Sequence, residues 1–212
     1  MKSSVGSARM PAPTLRTEGI VLARTGAGDT HQRLTVLSAQ HGRLMCLQRL
    51  SKKSLMQRAD LFDSAELLLE GPKANGFYFV KEYALQTRRE GIGRSYETLR
   101  CASEFAEILD RNSQNAADIP PLLRLALTAF AAWEKNLRPE AALFKALCLL
   151  AQNEGYPLRE DFLAQLNDRQ RAAALDILRQ PLDKQSIPPA QVDPLLTLLR
   201  RWIKGYTDIW IP

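Results

Sequence analysis

The spacing of apolar side chains changes near residue 90 and divides the chain into two unlike halves. Before that point, apolar residues form short runs that alternate with polar residues and are separated by turn-forming residues, a pattern typical of β-strands. Closing into a small barrel removes the open edges of five short antiparallel strands, so we expect an OB-type barrel, with an SH3-like barrel as the alternative. The predicted strands are Thr17 to Ala23, Gln32 to Ser38, Arg43 to Leu50, Ser64 to Glu70 and Gly76 to Gln86.

After Gly91 and Gly93 the apolar period becomes 3.6 residues and stays so to the end, which predicts a helical bundle. The fold class is therefore α+β, with a disordered tail over residues 1–14, a barrel over residues 15–90 and a helical domain over residues 91–212. Serine, proline and glycine at helix boundaries set the expected starts and stops. These signals are a cap at Ser95, starts at Pro120 and Pro139, a stop at Gly155, a break near Asn167 and Asp168, and a last helix from about Pro194 to Tyr206.

All of the net charge of +6 belongs to the first half of the chain. Residues 1–90 carry 14 Lys or Arg against 8 Asp or Glu, whereas the remaining residues carry equal numbers of both signs. A localised basic surface on a compact domain is typical of proteins that bind polyanions, so nucleic acid is the expected partner. The cations least balanced by neighbouring acids, which we predict to contact DNA, are Arg33, Arg43, Arg49, Lys52, Lys53 and Arg58.

The fifth predicted strand is rich in aromatic residues that could stack on bases. Regular alternation places Phe77, Phe79 and Tyr83 on one face and Tyr78 on the other. Alternation does not tell which of the two faces packs into the barrel, so the sequence assigns none of these rings to a ligand.

Candidate catalytic and metal-binding groups are sparse. His31 and His41 fall in predicted turns, and the three cysteines are about 50 residues apart inside apolar patterns, so we expect buried thiols, no metal and no cofactor. Asp60, Asp63 and Glu66 are close in sequence and are interpreted as a solvated surface. We therefore predict a protein that is not an enzyme.

The lengths of the apolar runs indicate the compartment of the protein. No apolar run approaches the roughly 18 residues that span a bilayer, and the N-terminus lacks an apolar signal segment, so we expect a reducing, cytoplasmic location.

Gly26–Thr30 lacks the lysine of a phosphate-binding loop and is interpreted as a turn, and Gly91–Gly93 as an interdomain hinge. A helix-turn-helix around Asn167 is a weaker alternative, because Asp176 interrupts its basic face.

Ordered pieces of the sequence resemble the RecO family of recombination mediator proteins. The pieces extend over residues 15–212 and are densest before residue 90; their order and spacing, rather than any one motif, carry the resemblance. They are Thr17-Glu-Gly-Ile-Val-Leu22, Gly28-Asp-Thr-His-Gln-Arg-Leu-Thr-Val-Leu37, His41-Gly-Arg-Leu44, Lys52-Lys-Ser54, Leu61-Phe-Asp-Ser-Ala-Glu66, Tyr78-Phe-Val-Lys-Glu82, Phe144-Lys-Ala-Leu147 and Gly155-Tyr-Pro-Leu158.

The resemblance implies a DNA-repair protein that binds single-stranded and double-stranded DNA without sequence preference and anneals complementary strands. It also implies partners: the C-terminal tail of single-stranded DNA-binding protein (SSB), RecR, and RecA indirectly, at the nucleoid. The chain departs from the family at one point. Many family members carry a four-cysteine zinc module, which would follow Leu158 here, but the segment from Arg159 to Gln165 contains no cysteine.

The helical half is expected to hold the SSB tail. That tail is short and acidic and ends in an aromatic residue with a free carboxylate, so its receptor needs an apolar pocket beside cations. The third helix resembles the family's tail-binding helix in position, and the alternative is that its apolar stripe is bundle core. The predicted pocket residues are Arg138, Leu143, Phe144, Lys145 and Leu147. Two further functions stay open: an adaptor that uses the helical half alone, and a nucleic-acid-processing enzyme.

Overall fold

The computed structural model describes residues 13–50, 58–72, 76–114, 116 and 118–212. Strands come first: Thr14–Ala27 (β1), His31–Ser38 (β2), Gly42–Arg49 (β3), Ser64–Glu70 (β4) and Tyr78–Thr87 (β5). Helices follow: Tyr96–Asn112 (α1), Ile119–Glu134 (α2), Pro139–Asn153 (α3), Asp168–Arg179 (α4) and Pro189–Tyr206 (α5). Residues 1–12 of the predicted tail lie outside the described residues.

The five strands form a closed barrel in the order β1-β2-β3-β5-β4. Strand β1 pairs antiparallel with both β2 and β4, whereas β3 and β5 close the barrel by a parallel pairing of Cys46 with Tyr78 and Leu47 with Phe79. The alternation predicted for β4 is confirmed, because Leu67 and Leu69 face the barrel core and Glu66 and Glu70 are half-exposed. The prediction of a small barrel followed by helices is confirmed.

Strand β1 is twice as long as the sequence predicts. It pairs with β4 from Thr14 onward and with β2 as far as Ala27, and a bulge between Val21 and Ala23 lets it bend around the barrel. Its ends are rich in Arg and Thr and do not alternate with apolar residues, so periodicity recovers only the buried middle.

The helix boundaries follow the predicted capping residues closely. The Ser95 side chain accepts a hydrogen bond from the Thr98 backbone N–H, and Gly155 adopts a φ of 87° just after α3. Asn167 forms a reciprocal capping box with Gln170 at the start of α4, at the predicted break.

The last helix begins at Pro189, five residues before the predicted start at Pro194. A proline inside a helix removes one hydrogen bond to the carbonyl four residues earlier, here that of Ala190. Because Ala190 is exposed, solvent can satisfy that carbonyl, and the helix continues through Pro194. None of the helices in the described ranges combines the length and the apolarity needed to cross a bilayer.

The barrel and the helices share one apolar core. Ile20, Leu22, Leu37 and Phe62 of the barrel pack among the helical core residues, and the rings of Phe62 and Phe130 lie 4.9 Å apart between centroids. The remaining inward residues of the strands form a second, separate barrel core. One outer face of the barrel is therefore covered by helices.

The junction between barrel and helices is packed too closely to act as the predicted hinge. Gly91 donates its backbone N–H to the Glu134 carboxylate at 2.9 Å, and a Cβ atom at Gly91 would lie 2.2 Å from the Glu134 carbonyl oxygen. The buried guanidinium of Arg89 donates to the Phe62 carbonyl and to the Ser64 hydroxyl. Glycine is required at residue 91 for this close approach, not for flexibility.

Candidate nucleic-acid interface

Two adjoining grooves lie on the outer face of the barrel that the helices leave uncovered. One, of about 580 Å³, runs between the ends of β3 and β5, and the other, of about 500 Å³, runs beside the β1–β2 turn. His31, Leu47 and Phe79 line both, so we treat them as one feature and call it the barrel groove. The described pairing of β3 with β5 ends at Leu47 and Phe79, and the groove opens where the two strands diverge.

Three of the predicted DNA-contacting arginines lie along the barrel groove: Arg33, Arg49 and Arg58. All three are exposed, and no carboxylate of the described residues lies within salt-bridge distance of any of them. The other charges of the groove are compensated, because Lys81 pairs with Glu70 at 2.7 Å and Glu82 with Arg16 at 3.6 Å. The groove therefore carries a net positive charge.

Arg58 is positioned by a buried polar network at one end of the barrel. The Gln32 amide donates to Gln48 Oε1 at 2.7 Å and to the Ala59 carbonyl at 3.0 Å, and Gln48 Oε1 also accepts from the Ala59 N–H. The Arg58 Nε donates to Gln32 Oε1 at 3.4 Å. These bonds fix the main chain beside Arg58 to β2 and β3, so that its side chain stays at the groove.

The aromatic residues of β5 do not follow the predicted alternation. Pairing with β4 passes from Val80 opposite Leu69 to Glu82 opposite Leu68, which leaves Lys81 as the extra residue of a bulge. Tyr78, Val80 and Tyr83 pack against the barrel core, and the last two also border the groove. Phe79 lies opposite the half-exposed Glu70 and lines the groove together with Phe77. The grouping of Tyr83 with the two phenylalanines is therefore wrong, because the bulge reverses the faces between them.

Arg43 does not belong to the barrel groove. Its Nε donates to Asp110 Oδ1 of α1 at 2.5 Å, and both side chains are mostly covered at the contact of barrel and helices. The prediction that Arg43 contacts DNA is thus corrected. Arg43 instead forms an ion pair between the barrel and the helices, with an acid 67 residues away in sequence. Lys52 and Lys53 lie outside the described residues.

Asp60, Asp63 and Glu66 have structural roles, as expected. Asp63, however, does not lie on the solvated surface that the sequence predicts. That side chain is fully buried and accepts hydrogen bonds from Arg88, from the Tyr83 hydroxyl and from the Asp60 N–H. The hydrogen bond to Asp63 raises the pKa of Arg88, and burial raises the pKa of Tyr83. Asp60 and Glu66 instead pair with Arg24 and Arg16 at the surface.

The cysteines are buried, as predicted. Burial raises the pKa of Cys46 and of Cys101 to about 12, so neither thiol ionises near neutral pH. Within the described part of the chain, no group of three or more His, Cys, Asp or Glu side chains could hold a metal ion.

The predicted pocket on α3 is not available to a peptide. Leu143, Phe144 and Leu147 are fully buried in the helical core, so the alternative interpretation of this stripe as bundle core is the correct one. Arg138 donates to the carbonyls of Gln185 and Ile187, and Lys145 donates to the Gln180 carbonyl at 2.9 Å. These two cations are thus occupied with the backbone of the same domain.

A different apolar pocket, of about 350 Å³, lies between α2 and α3. Small residues that lie one and two helical turns apart contribute to this pocket. In the sequence of α3 they form a second, alanine-rich stripe, which is hard to recognise beside the larger core residues. Its lining includes Leu125, Ala129, Ala142, Ala146 and Leu149, together with Lys135, Lys145 and Asp183.

No family model and no curated protein matches this chain. The resemblance to the RecO family therefore rests on the ordered sequence pieces alone. Several of those pieces lie on the barrel, including Gly28–Leu37, which forms the β1–β2 turn and most of β2. That turn carries a φ of 68° at Gly28 and is the predicted turn rather than a phosphate-binding loop.

The structure argues against the helix-turn-helix alternative, because the central arginine of the expected recognition helix is engaged within its own domain. Arg171 of α4 donates to the carbonyls of Leu163, Ala164 and Leu166 in the segment just before the helix. A side chain that caps the preceding turn is not free to contact a base edge. The barrel groove, in contrast, combines exposed cations with half-buried aromatic rings.

Proposed function

We propose that this chain is a non-enzymatic DNA-binding mediator of the RecO type, which binds and anneals single-stranded DNA. The observation that carries the proposal is the barrel groove, where Arg33, Arg49 and Arg58 lie beside Phe77 and Phe79 without acidic partners among the described residues. Cations along a groove with aromatic neighbours suit a phosphate backbone with accessible bases.

The barrel itself supports an OB-type interpretation over an SH3-like one. OB-folds bind oligonucleotides on the face of their second and third strands and on neighbouring loops. The barrel groove occupies the corresponding place, since Arg33 lies on β2 and Leu47 and Arg49 lie on β3.

The proposed mechanism is electrostatic and makes or breaks no bond. Two complementary strands repel each other through their phosphates, and cations on one protein surface screen that repulsion while condensed counterions are released. RecR and RecA would act with the protein on SSB-covered strands at the nucleoid.

Titration of a fluorescent oligonucleotide, with magnesium present, tests this function. We expect binding of single-stranded DNA with little dependence on sequence, faster annealing of complementary strands, and oligonucleotides that stay intact. Cleavage of the oligonucleotide would favour the processing enzyme, and absence of binding at low salt would favour the adaptor.

The pocket between α2 and α3 is the proposed receptor for the SSB tail, in place of the buried stripe on α3. Its volume suits one aromatic side chain, and the exposed Lys135 supplies positive charge for the acidic residues. This assignment keeps the expected ligand chemistry and changes the residues that provide it.

Reversing the charge of Lys135 tests that pocket. We expect a fluorescent tail peptide to bind the wild-type protein near the micromolar range, about 8 kcal/mol, and Lys135→Glu to weaken that binding at least tenfold while oligonucleotide binding persists. The matched control is Arg201→Glu on the exposed surface of α5. Peptide binding that is unchanged in Lys135→Glu, or reduced equally in both variants, would place the receptor elsewhere.

A further inference from the structure

The bulge at Lys81 brings two phenylalanine rings to the outside of the barrel. In an unbroken strand, Phe77 and Phe79 would share a face with Tyr83, which packs against the core. With one extra residue between Val80 and Glu82, the strand instead turns both rings into the barrel groove. Both rings are half-buried there, so each retains accessible surface.

The neighbours of these rings form one continuous row across the sheet. Arg33 of β2 pairs in register with Leu47 of β3, and Leu47 pairs in register with Phe79 of β5. The Arg33 guanidinium lies 5.8 Å from the centroid of the Phe77 ring. A cation, an aliphatic side chain and two rings thus lie side by side on one solvent-facing surface.

The spacing of the rings favours separated bases over stacked ones. Residues two apart on a strand are about 7 Å from each other, whereas successive bases in a duplex are about 3.4 Å apart along each strand. Bases in a duplex also have both faces covered by their neighbours, while an extended single strand leaves those faces available to aromatic side chains.

We propose that Phe77 and Phe79 are base-stacking residues that make the barrel groove prefer single-stranded over double-stranded nucleic acid. This inference rests on the proposed function, because the arginines must first hold the backbone. In the bound state the rings contact bases and Arg33 contacts an adjacent phosphate. The arginines then provide affinity for either form, and the rings provide the preference.

The test compares Phe77→Ala/Phe79→Ala with Phe77→Tyr/Phe79→Tyr, using oligo-dT and a duplex of equal length. We expect the alanine variant to lose single-strand affinity on the order of tenfold for each ring, with duplex affinity changed less than about twofold. The slope of log affinity against log salt stays the same, because no phosphate contact is removed. The tyrosine variant, which keeps both rings, retains wild-type affinity.

A matched control is Tyr96→Ala, which removes a ring that is 74% exposed on α1, outside the groove. Thermal unfolding of each variant shows whether the barrel is intact. Equal losses for single strand and duplex, or a tyrosine variant as weak as the alanine variant, would overturn this inference while leaving the proposed function standing. A wild-type protein that binds neither form would overturn both.

Discussion

Replacing Arg33, Arg49 and Arg58 together with alanine is expected to lower single-strand affinity by roughly 10²-fold or more at 50 mM salt. Each phosphate neutralised on a single strand contributes about 0.7 to the slope of log affinity against log salt, so the variant should also lose about 2 from that slope. The three side chains are exposed and, among the described residues, have no carboxylate partner, so their loss leaves no buried charge behind. Fluorescence anisotropy at several salt concentrations measures both quantities.

The control for this variant removes the same net charge elsewhere. Arg94, Arg169 and Arg201 are exposed in the helical half of the chain, and we expect their triple alanine variant to bind almost as the wild type does. Equal weakening of the two triple variants would mean that overall charge, rather than the barrel groove, holds the nucleic acid.

Asp63→Ala is expected to destabilise the protein by about 3 kcal/mol, the cost of leaving a mostly buried cation without its partner. Asp63 is fully buried, and its loss removes the acceptor for Arg88 and for the Tyr83 hydroxyl at the same time. For a chain of this size, that change corresponds to a decrease of about 10 °C in the melting temperature. Thermal and urea unfolding measure the effect.

Asp60→Ala is the matched control, because Asp60 is half-exposed and its ion pair with Arg24 spans 3.4 Å at the surface. Exposed pairs contribute about 1 kcal/mol or less, so its melting temperature should stay close to that of the wild type. If Asp63→Ala were as stable as Asp60→Ala, the buried cluster would not hold the barrel, and a functional role for this carboxylate would need to be considered.

Local sequence signals predicted the parts of the fold that depend on local chemistry. Ser95 caps α1 because its hydroxyl reaches a backbone N–H three residues on, and Gly155 ends α3 because its φ is positive. The alternation of β4 was equally visible, since one of its faces is core. The bulge at Lys81 was not visible in the sequence. An inserted residue changes the pairing with a neighbouring strand, and the composition of its own strand does not reveal that change.

The candidate site was predictable only as a charged region. Counting neighbours in sequence cannot detect that Asp110 neutralises Arg43, because folding brings together residues 67 positions apart. In the same way, α3 has apolar residues on most of its surface, and only the packing of α1, α2 and α5 around it shows that Phe144 is core. Arg33, Arg49 and Arg58 lie along one groove because β2, β3 and the segment after β3 meet there, and their contact with DNA stays a prediction.

The salt dependence of single-strand binding by the wild-type protein tests most directly whether the barrel groove binds nucleic acid. We expect log affinity to fall linearly with log salt, with a slope of about −2 from the three described arginines and about −3.5 if Lys52 and Lys53 also contact phosphates. A slope near zero, or no binding at 50 mM salt, would contradict the assignment of the barrel groove as a nucleic-acid interface.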